Sequence, residues 1–157
     1  MRNDSCTNVS YFSSDCYYLR VLHAENLVTE KCTNAESFCS NNRAIESVYV
    51  EGWDTSGAPN LKNIFCNCPR LYRIMFGSNW GKETSSNTLD LSVIGCSNMN
   101  SDTFDSMLTM YNRASAGYTT TYTITLLSKQ FPTYYTEDNI NNFVEKMAAR
   151  GYTVEIK

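Results

Sequence analysis

The sequence predicts an α/β fold built from short coils of similar size, each supplying one strand to a parallel sheet. Three observations predict it. First, Leu19, Leu22, Ala24 and Leu27 recur 26 residues later as Ile45, Val48, Val50 and Trp53, and the first three recur again as Leu71, Ile74 and Phe76. Second, Phe12, Phe38 and Phe65 are spaced by 26 and then 27 on the segments between them. Third, the repeat stops near Asn98 and gives way to alternating helical and strand patterns. A period of this size with an LxxLxL-like core marks a leucine-rich-repeat solenoid, in which each unit buries its apolar flank only against its neighbours. The expected architecture is a short leucine-rich-repeat solenoid with a parallel sheet on one face (residues 1–97) and a C-terminal β-α-β-α-β cap (residues 98–157). Together these form one domain.

The elements follow in chain order. Residues 1–18 read as the return half of an incomplete first coil, since Asn8 and Phe12 match Asn34 and Phe38. Residues 19–24, 45–50 and 71–76 read as the strands. The alternation of a strand puts Leu22, Val48 and Ile74, with Ala24, Val50 and Phe76, toward the core. It puts His23, Tyr49 and Met75 outward in register, flanked by a row of Val21, Ser47 and Arg73 and by Glu25 and Glu51. Leu27, Trp53 and Trp80 close the coils as core plugs. Gly77–Asn87, rich in Gly, Ser, Thr and Asn, reads as a loop. Leu89-Asp90-Leu91 repeats the strand kernel only 15 residues after Ile74, which would add Asp90 to the outward row.

Beyond Asn98, Ser101 reads as an N-cap with Asp102 and Asp105 in the first turn. Phe104, Met107, Leu108 and Tyr111 form an amphipathic stripe, ended by Ala114-Ser115-Ala116-Gly117. Thr120–Leu127 is β-rich, with Tyr122, Ile124 and Leu126 on one face. Pro132 and Thr133 turn the chain, and Thr136 caps a second helix whose stripe is Ile140, Phe143, Val144 and Met147. Gly151 suits the position after that helix, and Tyr152–Ile156 reads as a last strand. Right-handed crossovers would let these strands continue the sheet of the repeats.

Composition narrows the function classes. Net charge is −3, from 13 Lys and Arg against 16 Asp and Glu. That balance lacks the basic face that nonspecific nucleic-acid binding requires. No stretch approaches the ~18 apolar residues of a membrane span, and residues 1–20 show no apolar targeting core. The expected location is therefore a virion or the cytoplasm, or a cell surface if a leader has been removed. Seven cysteines, most near repeat turns, read as small buried hydrophobes, with disulfides left open. Cys66-Asn67-Cys68 and the single His23 do not make a zinc spacing.

Catalysis finds little support. A nucleophilic triad would have to use His23, which lies on the open strand row. Glu25, Glu51 and Asp90 could supply paired carboxylates, but such pairs on a sheet face are usually solvated. Gly77-Ser78-Asn79-Trp80-Gly81 lacks the lysine and spacing of a phosphate loop. Asn8-Val9-Ser10 fits a glycosylation triplet, and no calcium-loop spacing occurs. Neither an enzyme nor a cofactor is expected.

Trp53-Asp54-Thr55-Ser56, Asn60-Leu61-Lys62-Asn63-Ile64-Phe65 and Cys68-Pro69-Arg70-Leu71 together resemble the BspA-type leucine-rich repeat, over roughly residues 7–95. The ending, Ala149-Arg150-Gly151-Tyr152-Thr153-Val154, resembles the cap on such proteins from gut Bacteroidetes and their phages. The resemblance implies a surface or virion-associated protein that binds proteins or host surfaces, with no family-wide catalytic residues. The chain has few repeats and no secretion signal, which favours a phage virion component. The expected function is a non-enzymatic interaction module that engages a protein partner or neighbouring subunits through His23, Tyr49, Arg73, Met75, Asp90, Glu25 and Glu51. The alternative is an adhesin-like cell-surface domain that binds a host protein or glycan.

Overall fold

The computed structural model describes residues 6–157; residues 1–5, the start of the expected incomplete coil, lie outside the described residues. The chain forms a mixed α/β structure with two three-stranded parallel sheets and two α-helices. Their order is β1 (Val21–His23), β2 (Ser47–Tyr49), β3 (Arg73–Met75), β4 (Asn87–Asp90), α1 (Ser101–Met107), β5 (Tyr122–Leu126), α2 (Glu137–Ala149) and β6 (Thr153–Ile156).

The period of the sequence becomes a strand register. Leu22, Val48 and Ile74 are partners across β1, β2 and β3, as are Val21, Ser47 and Arg73, and His23, Tyr49 and Met75. A second column lies on the return segments, where Asn8, Asn34 and Asn60 bridge in parallel. Each of these asparagines accepts, through Oδ1, from the backbone N–H two residues on. That Asx turn bends the chain identically in each coil. The strands are only three residues long because a turn follows at once: Leu27 N–H bonds Ala24 O, and Trp53 N–H bonds Val50 O.

Alternation sorts the faces as expected. Leu22, Val48, Ile74, Ala24, Val50 and Phe76 are all buried. Behind them Phe12 stacks on Phe38, Phe38 meets Trp53 edge-on, and Trp53 stacks on Trp80 at 5.6 Å. Both indoles are core groups, and each N–H bonds a carbonyl of the preceding coil at 2.9 Å: Trp53 to Ala24 and Trp80 to Val50. A buried indole needs such a partner. Cys32, Cys39, Cys68 and Cys96 are buried, and all seven cysteines carry free thiols.

Leu89-Asp90-Leu91 does not extend the first sheet. β4 pairs with β5, and β5 with β6, as a separate sheet. The strands after Asn98 therefore do not continue the sheet of the repeats either. The reason lies in the stacking. Asn67 and Cys68 N–H bond Val93 and Ile94 carbonyls, and Asn87 Nδ2 reaches Pro59 O. The stretch around β4 thus stacks on the return segment of the third coil. One period beyond Ile74 is position 100, and there the chain begins α1.

α1 is shorter than its apolar stripe suggests. Its N-cap is Asn100, whose Oδ1 accepts from Asp102 N at 2.7 Å. It ends at Met107, because Tyr111 N–H goes to Trp80 O rather than back along the helix. α2 matches the expectation closely. Thr136 caps it reciprocally with Asn139, Glu137 and Asp138 occupy the first turn, and Lys146 the last. Gly151 follows at φ 89°, a conformation a residue with a Cβ rarely adopts. Phe143 and Met147 are buried under it, and Tyr122, Ile124 and Leu126 of β5 are fully buried. No helix among the described residues is long and apolar enough to cross a membrane.

Candidate interaction surface

The outward positions of β1 to β3 form a small grid. The middle row is His23, Tyr49 and Met75, in register. The imidazole and phenol rings stack with centroids 4.7 Å apart and planes within 6°. Parallel strands about 4.8 Å apart bring in-register rings to this spacing. The His23 side chain is 64% exposed, so the stack presents an aromatic surface to solvent.

Two residues along each strand the chain places Glu25 and Glu51. His23 Nδ1 lies 3.2 Å from Glu25 Oε1. The other oxygen of each glutamate, Oε2, is shielded from water and meets no hydrogen-bond donor. The third coil has Gly77 next along the strand, and a Cβ there would fall 1.8 Å from the Glu51 carbonyl oxygen. Gly52 stands in the same relation to Glu25, at 1.9 Å. The glycines are a packing requirement of closely stacked turns.

In the remaining row, Ser47 is buried, Val21 is exposed and Arg73 is half-buried. Arg73 Nη2 donates to Asp102 Oδ2 of α1 at 2.6 Å. α1 therefore borders the grid, and beside Met75 it makes a shallow dish of about 310 Å³ with Phe76, Asp102, Asp105, Ser106 and Thr109. Asp102, Asp105 and Thr109 were not among the expected site residues. The signal was available: one period past Ile74 falls at the N-terminus of the predicted helix.

Asp90 is not on this surface. It pairs with Thr125 in the second sheet, and its Oδ1 accepts from both N–H and hydroxyl of Ser92. There it lines a larger groove of about 580 Å³, with Asn60, Lys62, Asn87, Thr88 and Thr123. The amides of that groove are committed within the fold: Asn60 Nδ2 bonds Glu36, and Asn87 Nδ2 bonds Pro59 O and Glu83. Volume alone thus points away from the row, whereas exposed and unsatisfied groups point to it. Six of the seven expected residues share one surface, and the structure removes Asp90.

Among the described residues no group of three or more His, Cys, Asp or Glu stands close enough to hold a metal. Compared with known proteins, the chain matches no family model, no curated protein and no solved structure.

Proposed function

We propose that the chain is a non-enzymatic protein-interaction module: a short BspA-type leucine-rich-repeat solenoid acting as a structural or surface-binding component of a larger assembly, such as a phage virion. One observation carries the reading. The stacked His23–Tyr49 pair, Met75 and the two glutamates lie on one exposed sheet face in strict register. A shallow surface of this kind binds through shape and a few anchors, and Tyr is among the side chains that most often dominate such contacts. The alternating apolar rows that build this face are what a repeat array needs to stack, and they support the solenoid assignment.

The test uses a charge-neutral variant, Tyr49→Ala with Met75→Ala. A partner identified by cross-linking within the assembly should bind it at least about tenfold more weakly, since truncating central anchors often costs 2 kcal/mol or more. The circular dichroism spectrum should be unchanged. Unaltered affinity in a folded variant would move the binding surface elsewhere. Recovery of the protein in purified particles at fixed stoichiometry supports the virion component. A monomer that attaches to cells supports the adhesin reading instead.

A further inference from the structure

We propose that the occupant of this face is a basic protein segment, which sets an arginine or lysine between Glu25 and Glu51 and lays an apolar stem over Met75. The proposal rests on the reading of the sheet face as the docking surface and adds the chemistry of the partner.

Charge is the first argument. The face and its α1 border carry four carboxylates, on Glu25, Glu51, Asp102 and Asp105, against one guanidinium, on Arg73. Arg73 is already paired with Asp102. The excess of three equals the net charge of the whole chain, −3. The acidity of the protein is thus matched on one small area while the rest balances. Such a field steers cationic partners toward it and repels acidic ones, nucleic acid included.

Unmet bonding is the second argument. Glu25 and Glu51 occupy neighbouring coils on the same row, and like charges facing each other across strands are destabilising. Each also has an oxygen with neither donor nor water. A guanidinium or ammonium placed between them relieves the repulsion and supplies the absent donors. The aromatic stack of His23 and Tyr49 lies in the adjacent row, and an aromatic face attracts a cation held over it. Beyond it, the Met75–Phe76 dish has an apolar floor with Asp102 and Asp105 on its rim. That arrangement suits the long stem and charged head of a second basic side chain.

The full chain is titrated separately with hexa-arginine, hexa-lysine and hexa-glutamate peptides, followed by backbone amide shifts in NMR. The two basic peptides should move the amides of residues 23–25, 49–51, 75–76 and 102–109, and hexa-glutamate should move none. Affinity should fall as salt is raised. Glu25→Gln with Glu51→Gln should weaken binding by about tenfold. Glu145→Gln with Glu155→Gln, two exposed carboxylates elsewhere, should leave it unchanged. Equal weakening by both pairs, shifts centred elsewhere, or no binding of the basic peptides overturns the proposal. The partner identified by cross-linking separates the two readings. Binding lost in Tyr49→Ala/Met75→Ala but kept in Glu25→Gln/Glu51→Gln retains the docking face and overturns the basic occupant. Binding kept in both overturns both.

Discussion

Glu83 shows how one residue ties the coils together. Its side chain is fully buried, where it accepts from Thr55 Oγ1 of the preceding coil and from Asn87 Nδ2. Thr55 Oγ1 in turn accepts from Gly81 and Lys82 N–H. Arg113, also fully buried, donates to the main-chain oxygens of Gly81 and Glu83 and lies over the Tyr118 and Tyr122 rings. Burial pushes the Glu83 carboxyl above its ordinary value, against the opposing pull of Thr55, Asn87 and Arg113. The native state therefore binds this proton more tightly than the unfolded chain does. In the window between the unfolded and the raised folded pKa, stability falls as pH rises. A Glu83→Gln variant lacks that slope. Its melting temperature relative to the wild type should climb as pH goes from about 4 to neutrality, starting from the ordinary glutamate pKa of about 4.3. A difference that stays constant across the range, in melts taken at several pH values, would falsify the role assigned to Glu83.

At the scale of the element, α1 replaces a fourth strand. β3 would otherwise expose a row of backbone groups, a template for unwanted pairing. Instead Thr103 Oγ1 accepts from Ile74 N–H at 3.0 Å, and Ser106 Oγ accepts from Phe76 N–H at 3.1 Å. Asn100 N–H donates to Tyr72 O at 2.7 Å. Two hydroxyls and one backbone amide of a helix thus do what a neighbouring strand would have done. Thr103→Val keeps the shape and removes the acceptor, so the buried Ile74 N–H is left unpaired. Urea denaturation should show a loss of about 1–3 kcal/mol, and Ser106→Ala should cost a similar amount. In native-state hydrogen exchange, the amides of Ile74 and Phe76 should lose protection in the corresponding variants. Protection equal to the wild type would mean that the edge is held by something other than these hydroxyls.

Across the whole molecule, the aromatic spine and α1 make one unit of the two sheets. Phe104 of α1 stacks on Phe131 and meets Phe143 of α2 edge-on, while other side chains of α1 bond β3. Trp53 stands mid-spine, 1% exposed, between Phe38 and Trp80. Trp53→Ala should cost about 3–5 kcal/mol. The loss should be felt equally by Trp80 fluorescence, near the first sheet, and by helical circular dichroism, governed by α1 and α2. Two separated transitions would show that the sheets unfold independently. The ends of the stack differ. α1 closes the β3 side, whereas the first described coil shows Tyr11, Phe12, Tyr17, Tyr18 and Val21 to solvent. Phe12 is 56% exposed although Phe38 and Phe65, its counterparts one and two periods on, are fully buried.

The register of β1, β2 and β3, the inward and outward faces, the tryptophan plugs and the caps of α2 were all legible in the residues. Each depends on local spacing: a coil that repeats every 26 residues puts like positions side by side, and a Thr136-to-Asn139 box needs no distant partner. The middle of the candidate surface, His23, Tyr49 and Met75, was legible for the same reason. The place of Leu89-Asp90-Leu91 was not, since an apolar-polar-apolar triplet suits a strand in either column. Only the competition between columns decides it: the return segment of the third coil offers Asn67 and Cys68 N–H, while the β3 edge is taken by α1. Asp90 left the surface, and Asp102 and Asp105 joined it, by that one choice. The repeating sequence by itself determined which positions stack and which way they face. Tertiary structure alone decided what closes the edge, because a backbone donor is satisfied equally well by a strand carbonyl or a helix hydroxyl, and the packing of distant segments selects between them.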